Sequence, residues 1–281
     1  MNIKLKKENR NVNCAIWNNS QSNDVLIIAP GIAISGWHYR AMADYFFNKC
    51  YSVIIFDYFG MIHSKKTSLI NTIKLCDWGR KDINMVIAYA LKEFPGQKLF
   101  FLGHSIAGQL FPLAKNSSKV TAAFLVASQN LSQRNWSGLP KLKVYLLWHL
   151  IIPFFVNFLG YLPGVAYGGK YDLHKSIATD WAKWGKSKLG LLSVVKDAKL
   201  KYKNLDVPVK FLSFSDDAQL APLKAVEHLY DSYGSTRKSH EHICPKEVGL
   251  EAIGHFNFFK KDYSKLWTKI DSWFDQVNYP Q

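Results

Sequence analysis

The chain has 281 residues, 48% hydrophobic and 15% aromatic, with 36 lysines and arginines against 21 aspartates and glutamates for a formal charge of +15. That apolar fraction excludes a disordered chain, and the length suits one large α/β domain or two small ones. Only five basic residues are arginine, so the charge sits on flexible lysine stems without the guanidinium forks that read bases, and nucleic acid is not expected as a partner.

Residues 1–10 are lysine-rich, and no apolar run with a small-residue cleavage site follows them, so no signal peptide is expected. Short β-branched runs then alternate with longer helix-like stretches, the pattern of a mostly parallel sheet flanked by helices in an α/β fold. Asp24–Ala29 (DVLIIA) reads as a buried strand ended by Pro30-Gly31, and 52–56 (SVIIF) as a second closed by Asp57. Between them, 36–49 has the apolar spacing of a helix, with Met42, Tyr45 and Phe46 on one side. A helix over 82–94 stops at Pro95-Gly96. Residues 98–102 (KLFFL) form a third strand running straight into Gly103-His104-Ser105, and 120–127 and 207–214 complete the visible core strands.

From 131 to 204 the character changes to helix-like aromatic segments with no convincing strand and four of the nine tryptophans, Trp136, Trp148, Trp181 and Trp184. The expected organisation is an α/β core of residues 1–130 and 205–281 with 131–204 as a helical lid insertion. Within it, 144–162 (VYLLWHLIIPFFVNFLGYL) approaches membrane-spanning length. His149, Pro153, Asn157 and Gly160 point instead to a buried or interfacial helix pair broken at Pro153.

Gly103-His104-Ser105-Ile106-Ala107-Gly108 falls where a strand gives way to a helix, the context that a G-x-S-x-G nucleophile elbow requires. A serine on so tight a turn takes strained backbone angles, and positions two residues either side must be very small. Gly103 and Ala107 occupy them, alanine replacing the second glycine of the motif. A serine hydroxyl needs a base, and that base needs an orienting carboxylate. His255 lies near the C-terminus, where the chain order serine, acid, histidine puts the base. His240 and His242 are its rivals in a setting that reads as a strand end or turn.

Elimination narrows the acid. No Asp or Glu occurs from Phe94 through Tyr171, so the strand ending near Ala127 supplies none. The next strand runs into Ser215-Asp216-Asp217, which makes Asp217 the expected acid and Asp216 its alternative, one orienting the histidine while the other caps the turn. Donors for a developing oxyanion are the backbone N–H of Ile106, at the start of the nucleophile helix, and that of Ile32, in the loop after the first buried strand. An ordinary glycine turn is the plain alternative for the second.

Together these residues resemble the α/β-hydrolase superfamily across nearly the whole chain, and within it the serine aminopeptidase/monoacylglycerol lipase-like group, in particular a branch of bacterial α/β-hydrolases. The resemblance is carried by A-P-G at Ala29 to Gly31, F-D-Y at Phe56 to Tyr58, D-W-G at Asp77 to Gly79, the G-H-S elbow, V-A-S-Q at Val126 to Gln129, S-F-S-D-D at Ser213 to Asp217, and I-G-H-F with F-F at Ile253 to Phe259. By position it implies the triad Ser105, Asp217, His255. Three departures stand out. Many relatives have His-Gly in place of Pro30-Gly31, which bears on the oxyanion loop. Many have Arg-Gly-x-Gly in place of Phe59-Gly60-Met61-Ile62, which implies a changed helix start near Ser64. The acid loop from Asp217 to Pro222 is one residue longer than usual, which keeps Asp216 open.

The expected activity is hydrolysis of an ester or related acyl bond of a small, apolar or amphiphilic substrate. Acyl transfer on the same triad and a non-catalytic ligand-binding or membrane-surface protein on the same scaffold are the alternatives, separated from it by product analysis and by turnover of test esters. No metal-ligand spacing, phosphate loop or C-x-x-C pair occurs, so no metal or other cofactor is expected. The widely separated Cys14, Cys50, Cys76 and Cys244 fit a reducing, cytoplasmic setting. Seven basic and no acidic residues lie between Phe94 and Tyr171. Among them Arg134, Lys141 and Lys143, beside the apolar stretch, favour peripheral contact with an anionic membrane, with a merely lysine-rich surface as the plain alternative.

Overall fold

The computed structural model describes residues 1–7, 9–61 and 73–278. Ten strands are described: β1 (Asn2–Lys7), β2 (Arg10–Trp17), β3 (Asp24–Ala29), β4 (Tyr51–Asp57), β5 (Lys98–His104), β6 (Ala122–Val126), β7 (Tyr161–Leu162), β8 (Leu173–His174), β9 (Val209–Phe214) and β10 (Lys238–Ile243). Eight form one sheet in the order β1-β2-β4-β3-β5-β6-β9-β10. The β1/β2 and β2/β4 pairs are antiparallel, and every pair from β4 to β10 is parallel. The central strands are near-continuous apolar runs because helices cover both faces.

Adjacent residues of a strand point to opposite faces, and the Phe100-Phe101 pair shows both. Phe100 stacks on Phe274 of the C-terminal helix with ring centroids 4.3 Å apart, and Phe101 stacks on Phe111, beyond the elbow, at 4.4 Å. The expected helix over 36–49 is a 3₁₀ turn, Gly36–Tyr39, followed by α1 (Arg40–Asn48), which buries Met42 and Phe46. The helix expected at 82–94 is α2 (Asn84–Glu93), entered through a π-helical stretch at Trp78–Ile83. The changed helix start near Ser64 lies outside the described residues. After β5 come α3 (Ile106–Leu110), then α4 (Gly138–Leu146), α5 (Ile152–Leu159), α6 (Lys175–Lys186), α7 (Leu191–Val194) and α8 (Ala198–Lys203), all but α3 between β6 and β9. Helices α9 (Leu223–Ser232) and α10 (Thr268–Asn278) are the last α-helices among the described residues.

Two expectations for the β6–β9 segment need correction. It does hold a strand pair, the two-residue β7 and β8, too short to leave a periodic signal. The break at Pro153 is also absent: α4, a π-helical turn at Leu147–Ile151 and α5 form one continuous helix, Gly138–Leu159. Proline lacks an N–H and crowds the carbonyl of the preceding turn, and a widened π turn directly before it accommodates both defects. The helix ends at Gly160, which takes the left-handed conformation at φ 75°.

Candidate active site

The carboxyl ends of the parallel strands gather the sequence-selected residues, the usual place for a site in an open α/β sheet. Ser105 directly follows β5 and precedes α3, with φ 54° and ψ −115°, a strained conformation for a residue with a side chain. The turn is held by its amide, which donates to Val126 O at 3.0 Å. A Cβ on Gly103 would lie 2.9 Å from Leu125 Cδ2 and 3.4 Å from Ala107 Cβ, so the smallness that the elbow demands at these two positions has named causes, and one on Gly108, a residue further on, would lie 2.5 Å from Ser128 Cβ. Because Pro112 ends the helix early, α3 leaves carbonyls without partners. Tyr233 and Tyr202 hydroxyls donate to Gly108 O at 2.5 Å and Gln109 O at 2.6 Å.

The adjacent carboxylates have separate partners. Asp217, buried, accepts from His255 Nδ1 at 2.6 Å through Oδ2, while its Oδ1 takes Ala221 N–H at 3.3 Å. Asp216, exposed, accepts from Ile253 N at 2.8 Å and Gly254 N at 3.0 Å, clamping the loop that carries His255. With Nδ1 donating to a carboxylate, the base nitrogen of a neutral His255 is Nε2. The structure therefore brings Asp217 and His255 together and puts Ser105 and His255, 5% and 8% exposed, under cover at the same sheet edge. A direct Ser105 Oγ to His255 Nε2 hydrogen bond is absent among the described residues. The rivals His240 and His242 lie on β10, where both bond Ser213 Oγ, at 2.8 and 2.7 Å.

A buried chain of hydrogen bonds, invisible in the sequence pattern, runs from the β3 loop to the histidine loop. Gly31 N–H donates to Tyr39 Oη at 2.9 Å, Tyr39 O–H lies 2.7 Å from His104 Nδ1, and His104 Nε2 lies 3.0 Å from His255 O. A carbonyl only accepts, so His104 donates through Nε2 and accepts the tyrosine proton at Nδ1. His104 is fully buried, and burial, with the charges of His255 and His38, pushes its pKa well below the usual histidine value, which keeps the ring neutral as this chain requires. The elbow motif marks position 104 only by its neighbour Ser105, and nothing in the sequence marks Tyr39.

Ile32 N–H and Ile106 N–H, the two expected oxyanion donors, make no hydrogen bond among the described residues; Ile106 is the first residue of α3 and has no intrahelical acceptor. Ala33, at φ 58°, turns the loop just after Ile32. A Cβ on Gly31 would sit 3.0 Å from His104 Nδ1, so glycine lets the loop pass over the histidine. The remaining motifs frame the site. In F-D-Y, Asp57 Oδ1 accepts Gly36 N–H at 2.7 Å; in D-W-G, Trp78 stacks on Tyr58 at 4.7 Å and Gly79 lets Leu110, at the end of α3, approach.

The fold has many solved counterparts at low sequence identity. A soluble variant of monoglyceride lipase from Saccharomyces cerevisiae superposes with a TM-score of 0.69 at 14% identity, covering 100% of this chain and 96% of that one. Est1E from Butyrivibrio proteoclasticus gives 0.65 at 14%, covering 98% of both, and mouse alpha/beta hydrolase domain-containing protein 10 gives 0.61 at 17%, covering 99% of both. The chain has the α/β-hydrolase fold. No family model matches the sequence, and no curated protein matches it. Within the α/β-hydrolase fold, Ser105 occupies the turn after β5, Asp217 the loop after β9, and His255 the loop between β10 and α10.

Proposed function

We propose that the protein is a serine hydrolase, with Ser105 as nucleophile, His255 as general base and acid, and Asp217 as the carboxylate that orients it. The observation that carries the reading is the strained Ser105 turn beside a buried His255–Asp217 pair bonded at 2.6 Å. Ser105 Oγ attacks the acyl carbon while His255 Nε2 takes its proton. The same nitrogen then protonates the leaving alcohol, and an attacking water reverses the sequence to free the acid. Ile32 and Ile106 N–H receive the oxyanion of each tetrahedral intermediate. The hydrogen bond from Ser105 to His255 forms as substrate orders the site, since catalytic contacts of this kind are loose before substrate binds.

The substrate is a small apolar or amphiphilic ester or related acyl compound. The structural counterparts are named as lipases and esterases, which supports this reading. Residues 131–204 serve as the lid. They are tied to the acid loop by Trp136 Nε1, which donates to Gln219 O at 2.9 Å, and Phe256 stands partly exposed beside His255 with ring centroids 5.0 Å apart. A p-nitrophenyl ester series from acetyl to long acyl chains tests the proposal. Wild type turns over at least part of the series and Ser105→Ala none of it; turnover that Ser105→Ala leaves intact would refute the assignment.

A further inference from the structure

The continuous helix Gly138–Leu159 is long and apolar enough to cross a membrane, yet little of it is buried in the protein. Its inner face is firmly seated. Val144, Trp148 and Ile152 are buried, Trp148 meets Trp181 with ring centroids 4.7 Å apart, and a Cβ on Gly185 would lie 2.4 Å from the Trp148 ring. Its outer face carries Leu139, Leu142, Leu146, Leu150, Phe154 and Phe158 at steps of three or four, with Leu150 59%, Phe154 55% and Phe158 75% exposed. Steps of that size make one stripe along a helix. A water-facing stripe of this length marks an interaction surface.

The charge around the stripe selects its partner. Lys141 and Lys143 project from the first turns of the helix, and Arg134 precedes it, all exposed. Along its second half runs an open groove of about 530 Å³, floored by Ile152, Val156 and Ala182 and edged by the exposed Lys183 and Lys186. The helix itself contains no carboxylate. An apolar strip edged by lysines is complementary to a surface of acyl chains edged by phosphates.

We infer that this helix seats the protein on an anionic phospholipid bilayer, lying in the interfacial plane with Leu150, Phe154 and Phe158 among the acyl chains and the lysines at the phosphates. The helix does not span the bilayer, because a spanning orientation would strip Trp148 and Ile152 from the protein body to which they are packed. This inference is independent of the role assigned to Ser105.

Vesicle flotation of the full chain tests it, using phosphatidylcholine alone and phosphatidylcholine with about 30% phosphatidylglycerol, at low and high salt. The wild type floats with anionic vesicles at low salt, and much less with neutral vesicles or at high salt. Leu150→Glu/Phe154→Glu/Phe158→Glu abolishes flotation with an unchanged circular-dichroism melt, since all three side chains face solvent. Lys141→Glu/Lys143→Glu weakens the anionic binding by at least ~25-fold, about fivefold for each lysine lost. Equal flotation with neutral and anionic vesicles, or none with either, overturns the inference. So does a solution dimer that the triple variant splits while the wild type ignores vesicles, which would make the stripe a contact between copies of this chain.

Discussion

Asp216 and Asp217 are neighbours in the chain, but the turn after β9 sends one carboxylate to the backbone of the histidine loop and the other to the imidazole. Asp217→Asn leaves the fold intact and lowers kcat about ten-thousandfold, because the amide no longer fixes the productive tautomer. Asp216→Ala costs about 1–2 kcal/mol in a urea melt through two lost acceptors, and reduces kcat far less. A reversed ranking of the two variants in kcat would move the acid to Asp216. Tyr39→Phe strands Gly31 N–H and His104 Nδ1 in a buried setting, at about 1–3 kcal/mol for each group. Because Gly31 adjoins Ile32, whose N–H is proposed to receive the oxyanion, the variant lowers kcat more than it raises KM; a change in KM alone would show that the chain of bonds does not position that proposed donor. The strained turn at Ser105 was legible because its motif reflects steric limits on its immediate neighbours. Tyr39 was not, since its value comes from meeting His104 65 residues later, a contact that no local pattern encodes.

Among the elements, the buried apolar strands β3, β5, β6 and β9 were readable because both of their faces are covered. Strands β1 and β2 were not, because neither holds a continuous apolar run: in β1 only Ile3 and Leu5 alternate with polar residues, and in β2 Asn11 and Asn13 interrupt the run, while the edge strand β10 showed only a strand end or turn around its polar His240 and His242. Strand β2 is pinned by an ion pair: Arg10 bonds Asp82 at 2.6 Å in the core and reaches Asp77 at 3.4 Å. Asp82 also accepts Phe59 N–H at 2.9 Å, so one carboxylate ties the start of β2, the turn after β4 and the Trp78–Ile83 stretch together. Burial pushes the Asp82 carboxyl up to about 6 even beside the guanidinium. Arg10→Met therefore leaves a buried carboxylate unpaired and costs about 3–5 kcal/mol at neutral pH. Without the arginine the carboxyl titrates higher still, so the deficit narrows as the pH falls. Urea melts of both proteins across neutral and mildly acidic pH check this, and a deficit independent of pH would show that lost packing outweighs the stranded charge.

For the whole molecule, the sheet order places the loops after β5, β9 and β10 on one edge, although Ser105, Asp217 and His255 are spread over more than half of the chain. The same fold holds His38, His104 and His240 below their usual pKa, burial being the largest cause at each. These groups are neutral in the fold and bind protons once unfolded. Their contribution is thus complete above the ordinary histidine value and is lost as the pH falls below it, at up to about 1.4 kcal/mol per pH unit for the fully buried His104. Unfolding monitored by tryptophan fluorescence should show stability declining from neutral toward mildly acidic pH; a rise over that interval would mean that carboxyl groups such as Asp82 dominate. The most direct test of the proposed chemistry is labelling by a fluorophosphonate probe with peptide mapping. The wild type should carry the phosphonyl group on Ser105 and Ser105→Ala should carry none, whereas equal labelling of the two proteins would contradict the account.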